Sequence, residues 1–232
     1  MALPHGNVLA SQSVDRAAFD NRREGAFLAS QSVDRATFES LYAGPAPWDI
    51  GKPQRQFTAI VDRVTSPVLD AGCGTGEHAL FFAARGHRVI GIDFVEEAIR
   101  RAQHKAAERG LAVEFLVKDA LRLGDWGRRF ASAIDCGLFH CFAADDRRDY
   151  VRGLAHVIQP GGRLFLMCFS DEEPGTEGPR RVSRQELYDA FADSWVVESV
   201  QPVRCEIHPE FTEVTFSEGG PKVWFAVVRR QG

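Results

Sequence analysis

The chain has 232 residues, 44% of them hydrophobic, which suits one α/β domain with a buried core. Its formal net charge is −4, so no global positive field draws it to nucleic acid or an anionic membrane. No apolar run approaches the roughly 20 residues that span a bilayer. The first residues lack a basic stretch followed by an apolar one, so no signal peptide is expected. The five cysteines, Cys73, Cys136, Cys141, Cys168 and Cys205, show no metal-ligand spacing. They read as reduced thiols in a cytoplasmic protein, with no metal expected.

The N-terminal part carries an internal repeat: Leu9-Ala-Ser-Gln-Ser-Val-Asp-Arg-Ala17 recurs as Leu28-Ala-Ser-Gln-Ser-Val-Asp-Arg-Ala36. Two copies are too few for a stacked solenoid. They read either as a helical lid or dimer arm, or as a local duplication whose first copy is dispensable. Residues 1–45 are therefore expected to form a helical extension and residues 46–232 the main domain.

From Pro67 onward strand and helix patterns alternate. A short apolar strand is predicted over 67–71, a helix over 77–84 stopped at Gly86, and a strand over 87–93. A helix over 96–109 follows, with Val95, Ile99, Ala102 and Ala106 on one face and Gly110 ending it. Strands are predicted over 112–118 and 132–138. A helix over 146–158 presents Tyr150, Leu154, Val157 and Ile158, and Pro160-Gly161-Gly162 separates it from a strand over 163–169. Ser183-Arg-Gln-Glu186 is a capping box opening a helix through Phe191. Strands over 195–203 and 222–229 come late, without an obvious helix between them, which suggests hairpin pairing at a sheet edge. Repeated β-α-β units imply a mainly parallel sheet with helices on both faces.

The decisive segment is Val68-Leu69-Asp70-Ala71-Gly72-Cys73-Gly74-Thr75-Gly76-Glu77. A buried strand runs into a glycine-rich turn and then a helix, the place where doubly wound sheets bind ligands. Gly72, Gly74 and Gly76 let a ligand approach the backbone. A dinucleotide turn would have its third glycine where Glu77 stands. Acids at Asp70 and Glu77 would repel a pyrophosphate but tolerate a cationic ligand. The next strand ends at Asp93, placed to accept hydrogen bonds from ribose hydroxyls, and Phe94 can pack on an adenine face. The third ends at Asp119, followed by Ala120, where an adenine amino group can donate.

This pattern resembles class I S-adenosylmethionine-dependent methyltransferases over roughly residues 40–230. Asp70 to Gly76 resembles their first motif, Gly91-Ile92-Asp93 the second, Lys118-Asp119 the third, and the segment ending at Asp135 the fourth-strand motif. The resemblance implies a Rossmann-like, mainly parallel seven-stranded sheet with an antiparallel last strand. It also implies S-adenosyl-L-methionine as cofactor, S-adenosyl-L-homocysteine as product, and Asp135 among the cofactor residues. Pro47-Trp48-Asp49-Ile50-Gly51-Lys52-Pro53-Gln54 resembles the N-terminal segment of small-molecule methyltransferases related to thiopurine S-methyltransferases. By that likeness Trp48 lies against the methionine end of the cofactor, with Gln54 nearby. A competing reading has Trp48 stapling the N-terminal helix to the core.

Methyl transfer from a sulfonium is an in-line displacement that needs alignment and exclusion of water. His140, beyond the fourth strand, is the candidate general base, with a pocket wall as the alternative. Asp135-Cys136-Gly137-Leu138 lacks the prolines of relatives that methylate exocyclic amines, and Cys136 reads as packing. The loop 171–181 reads as a lid whose Arg180 and Arg181 either bind an anionic acceptor or are solvated. Phe139, Phe142 and Phe169 suggest an aromatic-friendly pocket. The expected acceptor is a small aromatic molecule offering a phenolic oxygen, thiol sulfur or heteroaromatic nitrogen, to a monomer or homodimer. The competing functions are a non-catalytic S-adenosylmethionine-binding module and an NAD-dependent oxidoreductase.

Overall fold

The computed structural model describes residues 32–44, 46–212 and 214–232. The first copy of the repeat lies outside the described residues.

Short apolar runs become the central strands, β1 (Val68–Ala71) and β2 (Val89–Asp93), and both are buried along their whole length. With β3 (Glu114–Val117), β4 (Phe130–Cys136), β5 (Ile158–Phe169), β6 (Trp195–Arg204) and β7 (Lys222–Arg230) they form one seven-stranded sheet, ordered β3-β2-β1-β4-β5-β7-β6. Strands β3, β2, β1, β4 and β5 pair in parallel, while β7 runs antiparallel to both β5 and β6. The strand order changes direction between β1 and β4, which opens a crevice at their carboxyl ends.

Side chains alternate across the sheet and build two cores. Leu69, Ala71, Ile92 and Leu164 pack with Tyr150, Leu154 and Val157 of α5 (Ala144–Val157) and Leu187 of α6 (Arg184–Ala190). Val68, Val89, Ile134 and Phe165 pack with Phe57 of α2 (Arg55–Thr58), Leu80 and Phe82 of α3 (Glu77–Ala83), and Ile99 and Ala102 of α4 (Glu96–Glu108). The stripe expected on α4 is buried as read. The capping box forms: Glu186 N–H donates to Ser183 Oγ and Ser183 N–H to Glu186 Oε2.

The break expected at 160–162 is a bulge rather than a gap between elements. Strand β5 starts at Ile158, and its register with β4 jumps between Phe130 and Ser132. The two glycines permit it: Gly161 has φ +80°, and a Cβ on Gly162 would stand 2.8 Å from Ala131 O.

Upstream, α1 (Arg35–Tyr42) is capped by Asp34, which accepts from Thr37 N–H. The chain before it lies against the segment that joins β4 to α5 and the first turn of α5. Val33 N–H donates to Cys141 O at 2.9 Å, Ala143 N–H donates to Ser32 Oγ at 2.8 Å, and Ser32 Oγ–H donates to Asp146. Among the described residues, no helix is long and apolar enough to cross a membrane.

Candidate cofactor and acceptor site

The glycine turn after β1 closes on three neighbours. Gly74 has φ +53°, its N–H donates to Asp93 Oδ2 at 3.0 Å, and a Cβ there would stand 2.8 Å from the Tyr42 hydroxyl. Gly76 has φ +89°, and a Cβ would meet Phe115 at 2.7 Å and Ala102 at 2.9 Å, so α3 starts only because this position is bare. Gly72 abuts Leu138.

Asp93 accepts a second hydrogen bond from Val95 N–H at 2.9 Å, and its own carbonyl accepts from Lys118 N–H at 2.8 Å. The Asp119–Ala120 corner therefore sits beside it. There Asp119 accepts from Leu121 N–H at 2.9 Å, and Ala120 is buried. Backbone N–H groups of Gly74, Val95 and Phe94 act on the Asp93 carboxylate, which with about four acceptor sites in all keeps some capacity beyond them. Phe94 stands edge-on to Phe38 at 5.5 Å, with the Arg35 guanidinium over its ring and bonded to its carbonyl.

Of the two roles weighed for Trp48, the staple is seen directly. Its Nε1–H donates to Tyr42 Oη at 3.0 Å, and it packs edge-on to Phe38, so it does staple α1 to the domain. It also lies over Gly74 and remains 38% exposed, a partly open aromatic wall. Gln54 is a staple as well. Its amide exchanges two hydrogen bonds with the backbone of Glu206, at 2.7 and 2.9 Å.

Glu77 corrects the electrostatic argument made from sequence. Its carboxylate is held by Arg109 through two 2.9 Å hydrogen bonds and by Lys105 at 2.9 Å, so it presents no free charge to a ligand. Three acids without a salt-bridge partner among the described residues lie deeper. Asp70, Asp93 and Asp135 stand at the ends of β1, β2 and β4, and burial raises all three carboxyls, Asp70 and Asp135 to about 7. A cationic ligand suits that field, and a pyrophosphate does not.

Asp135 has no exposed surface. It accepts from Leu138 N–H at 2.8 Å, Phe139 N–H at 3.2 Å and Tyr150 Oη–H at 2.9 Å. Its side chain therefore works inward, holding the turn that leans on Gly72.

His140 is held to the backbone through one ring nitrogen. Phe169 N–H donates to its Nδ1 at 3.1 Å, which leaves the proton of the neutral ring on Nε2. Burial first, then Arg181 and Arg147, brings its pKa down to about 3. Phe169 stands edge-on to the ring at 5.4 Å, and Phe216 packs on Phe169 at 5.6 Å. Phe139 and Phe142, expected in the pocket, belong to the core instead, against Phe191 and Tyr150. Arg181 covers Phe169 at 5.1 Å and donates to carbonyls of Glu173, Pro174, Glu177 and Pro179, so it shapes its loop. Arg180 pairs with Glu186. Cys136 is a packing residue whose thiol is pushed up by burial.

The sequence reading missed the row Arg101, Lys105 and Arg109 on α4. Arg101 donates to Tyr42 O, and Lys105 reaches Thr75 and Asp49 as well as Glu77. The i, i+4, i+8 spacing of three bases was the available signal. Glu173 was also missed: buried, it accepts from Ser217 and Lys222 N–H at 2.8 Å each, tying the loop after β5 to the β6–β7 connection.

These raised carboxyls predict a pH dependence. A folded pKa above the unfolded value of 3.8 gives stability that is full below 3.8 and lost as pH rises through about 7. Asp70→Asn keeps an acceptor for Ala79 N–H, which Asp70 Oδ2 binds at 3.0 Å, but cannot ionise. The variant is expected to gain on the wild type by roughly 1–4 kcal/mol from about pH 5 to about pH 8 in urea melts. A difference independent of pH would contradict the buried-acid account.

Residues 68–162 match the family described as a methyltransferase domain. A 2-heptyl-1-hydroxyquinolin-4(1H)-one methyltransferase of Mycobacteroides abscessus is 36% identical over 167 residues, covering 70% of this chain and 74% of that protein. The chain belongs to the S-adenosylmethionine-dependent methyltransferases. This methyltransferase also matches a solved structure from work on the conversion of a disulfide bond into a thioacetal group during echinomycin biosynthesis. The match has TM-score 0.75 and 32% identity, and covers 84% and 92% of the two chains. The fold is shared with the Burkholderia thailandensis 1,6-didemethyltoxoflavin-N1-methyltransferase solved with its substrate and S-adenosylhomocysteine. That match has TM-score 0.61 at 24% identity over 77% of this chain and 78% of that one.

The enzyme's cofactor is S-adenosyl-L-methionine, and the site fits it: a turn too tight for side chains, acids beneath it without a salt-bridge partner among the described residues, and an acid with spare acceptor capacity at the end of β2.

Proposed function

We propose that this methyltransferase acts on a small aromatic acceptor that binds already ionised, as an oxyanion or thiolate. The observation that carries the reading is the fixed tautomer of His140, whose Nδ1 is taken by Phe169 N–H. An imidazole with Nε2–H outward donates a hydrogen bond and does not remove a proton. The positive potential of Arg181 and Arg147, which disfavours an imidazolium here, favours an anionic nucleophile. Phe169 and Phe216 give that nucleophile an apolar, aromatic wall. The Mycobacteroides relative is named for an N-hydroxylated quinolone, a heteroaromatic hydroxyl compound, which agrees with this class.

Bound S-adenosylmethionine supplies an activated methyl group on a sulfonium. Asp93, with Asp119 and Ala120 beside it, holds the nucleoside end, and the turn at Gly72, Gly74 and Gly76 receives the rest. Trp48 and Tyr42 cover that turn and keep water away. Asp70 and Asp93 offset the positive charge of the ligand. His140 Nε2–H orients the acceptor anion for in-line attack. Residues 32–44 serve as the cover of residues 46–232.

The test is methyl transfer to hydroxylated heteroaromatics and aryl thiols of graded pKa at one pH, with S-adenosylhomocysteine measured as product. kcat/KM is expected to rise with the ionised fraction of the acceptor. Formation of no methylated product across the set would overturn the reading.

A further inference from the structure

Two arginines near His140 carry more positive charge than their surroundings balance. Arg147, in the first turn of α5, is 5% exposed, and Arg180 lies in the loop after β5. Both guanidinium groups lean on one carboxylate oxygen, Glu186 Oε1. Arg180 Nη2–H donates to it closely, and Arg147 Nη1–H reaches it only at 3.4 Å. The other oxygen of Glu186 accepts from Ser183 N–H at 2.8 Å, so the capping box holds this carboxylate in place. Among the described residues, two cations therefore share one carboxylate. Arg147 Nη2–H donates to Phe142 O at 2.8 Å. Arg147 Nε and Arg180 Nη1 are buried and have no hydrogen-bond partner among the described residues. A water can take a stray donor, but it leaves the excess charge, and a buried charge is costly unless it is paired.

We propose that Arg147 and Arg180 bind a carboxylate that the acceptor carries in addition to the atom it presents for methylation. The fork of a guanidinium matches a carboxylate, and the two unused donors belong to neighbouring forks. The place suits the acceptor. Phe142, whose carbonyl holds Arg147, directly follows the turn of residues 139–141 that carries His140. Arg180 precedes Arg181, whose guanidinium covers Phe169, the ring that stands edge-on to His140. Access comes through the loop of residues 171–181. The Arg180 side chain is 28% exposed, while Arg147 is fixed on a helix. The carboxylate enters as Arg180 swings outward, and the two guanidinium groups then close on it. The proposal rests on the reading of His140 and Phe169 as the acceptor site.

The experiment is methyl-transfer kinetics on matched acceptors at a pH that ionises the nucleophile of each. The pairs are thiophenol with the isomeric mercaptobenzoates, and hydroxyquinoline with the isomeric hydroxyquinoline carboxylates. In the wild type, KM for the best carboxylated isomer of a pair is expected to lie at least about tenfold below that of its uncharged partner. Arg180→Ala is expected to shrink this preference at least about fivefold, and Arg180→Lys, which keeps the charge but not the fork, to retain part of it. Glu186→Gln removes the competing charge and is expected to enlarge the preference at least about threefold. Thermal melts confirm that each variant is folded. No preference in the wild type, or a loss in Arg180→Ala that falls equally on both members of a pair, would overturn the proposal and leave the ionised aromatic acceptor standing. Methylation of no compound in either pair would overturn that reading, and the proposal with it.

Discussion

Asp93→Ala is expected to weaken S-adenosylhomocysteine binding by about 1–3 kcal/mol, roughly 5- to 150-fold. Two losses combine. The carboxylate would no longer accept from ribose hydroxyls, and Gly74 and Val95 N–H would lose the acceptors that fix the turn and the start of α4. Asp93→Asn separates them. The amide keeps one acceptor oxygen and the shape, but it has no charge and turns a donor toward one of the two N–H groups. It is expected to fall between wild type and alanine. Calorimetry gives the affinities, and a thermal melt checks that the variant is folded. Unchanged affinity in a folded Asp93→Ala protein would remove Asp93 from the site.

Asp135→Ala is the substitution expected to damage the fold most. It strands two backbone N–H groups and the Tyr150 hydroxyl in an environment with no exposed surface at residue 135. Each buried donor left without a partner costs about 1–3 kcal/mol, so a total of about 3 kcal/mol or more is expected. In a domain of this size that lowers Tm by roughly 6–12 °C. The turn carrying Leu138 and His140 loosens with it, so turnover should fall even at temperatures where the variant is folded. A Tm within about 2 °C of wild type would show that the three hydrogen bonds carry little of the stability.

The sheet was legible because its signals are local. Buried apolar runs, the glycine turn after Asp70 and the capping box at Ser183 each declare an element within a few residues. The bulge at 159–162 was not, since Pro160 and the two glycines read as a stop. Only the pairing of Ile158 with Phe130 makes them part of β5. The site divides in the same way. Gly72, Gly74, Gly76, Asp93 and Asp119 follow strand ends and could be read in order along the chain. The state of Glu77 depends on Arg109, 32 positions away, and the tautomer of His140 on the backbone of Phe169, 29 positions away. No pattern along the chain announces either contact. For Glu77 and His140 the residue was therefore visible but its chemistry was not. Tyr42 lay within the expected helical extension, but its place over Gly74 needs the closure of α1 against α4.

The measurement that bears most directly on the account is the pH dependence of kcat/KM for wild type and His140→Gln, with one hydroxylated heteroaromatic acceptor and then a second of different pKa. If the acceptor binds ionised and His140 donates, the rising limb follows the acceptor's pKa and moves when the acceptor is exchanged. It persists in His140→Gln, whose amide can still donate, with kcat/KM reduced at most about tenfold. A limb that stays in place when the acceptor changes, and disappears in His140→Gln, would make His140 the base and contradict the account.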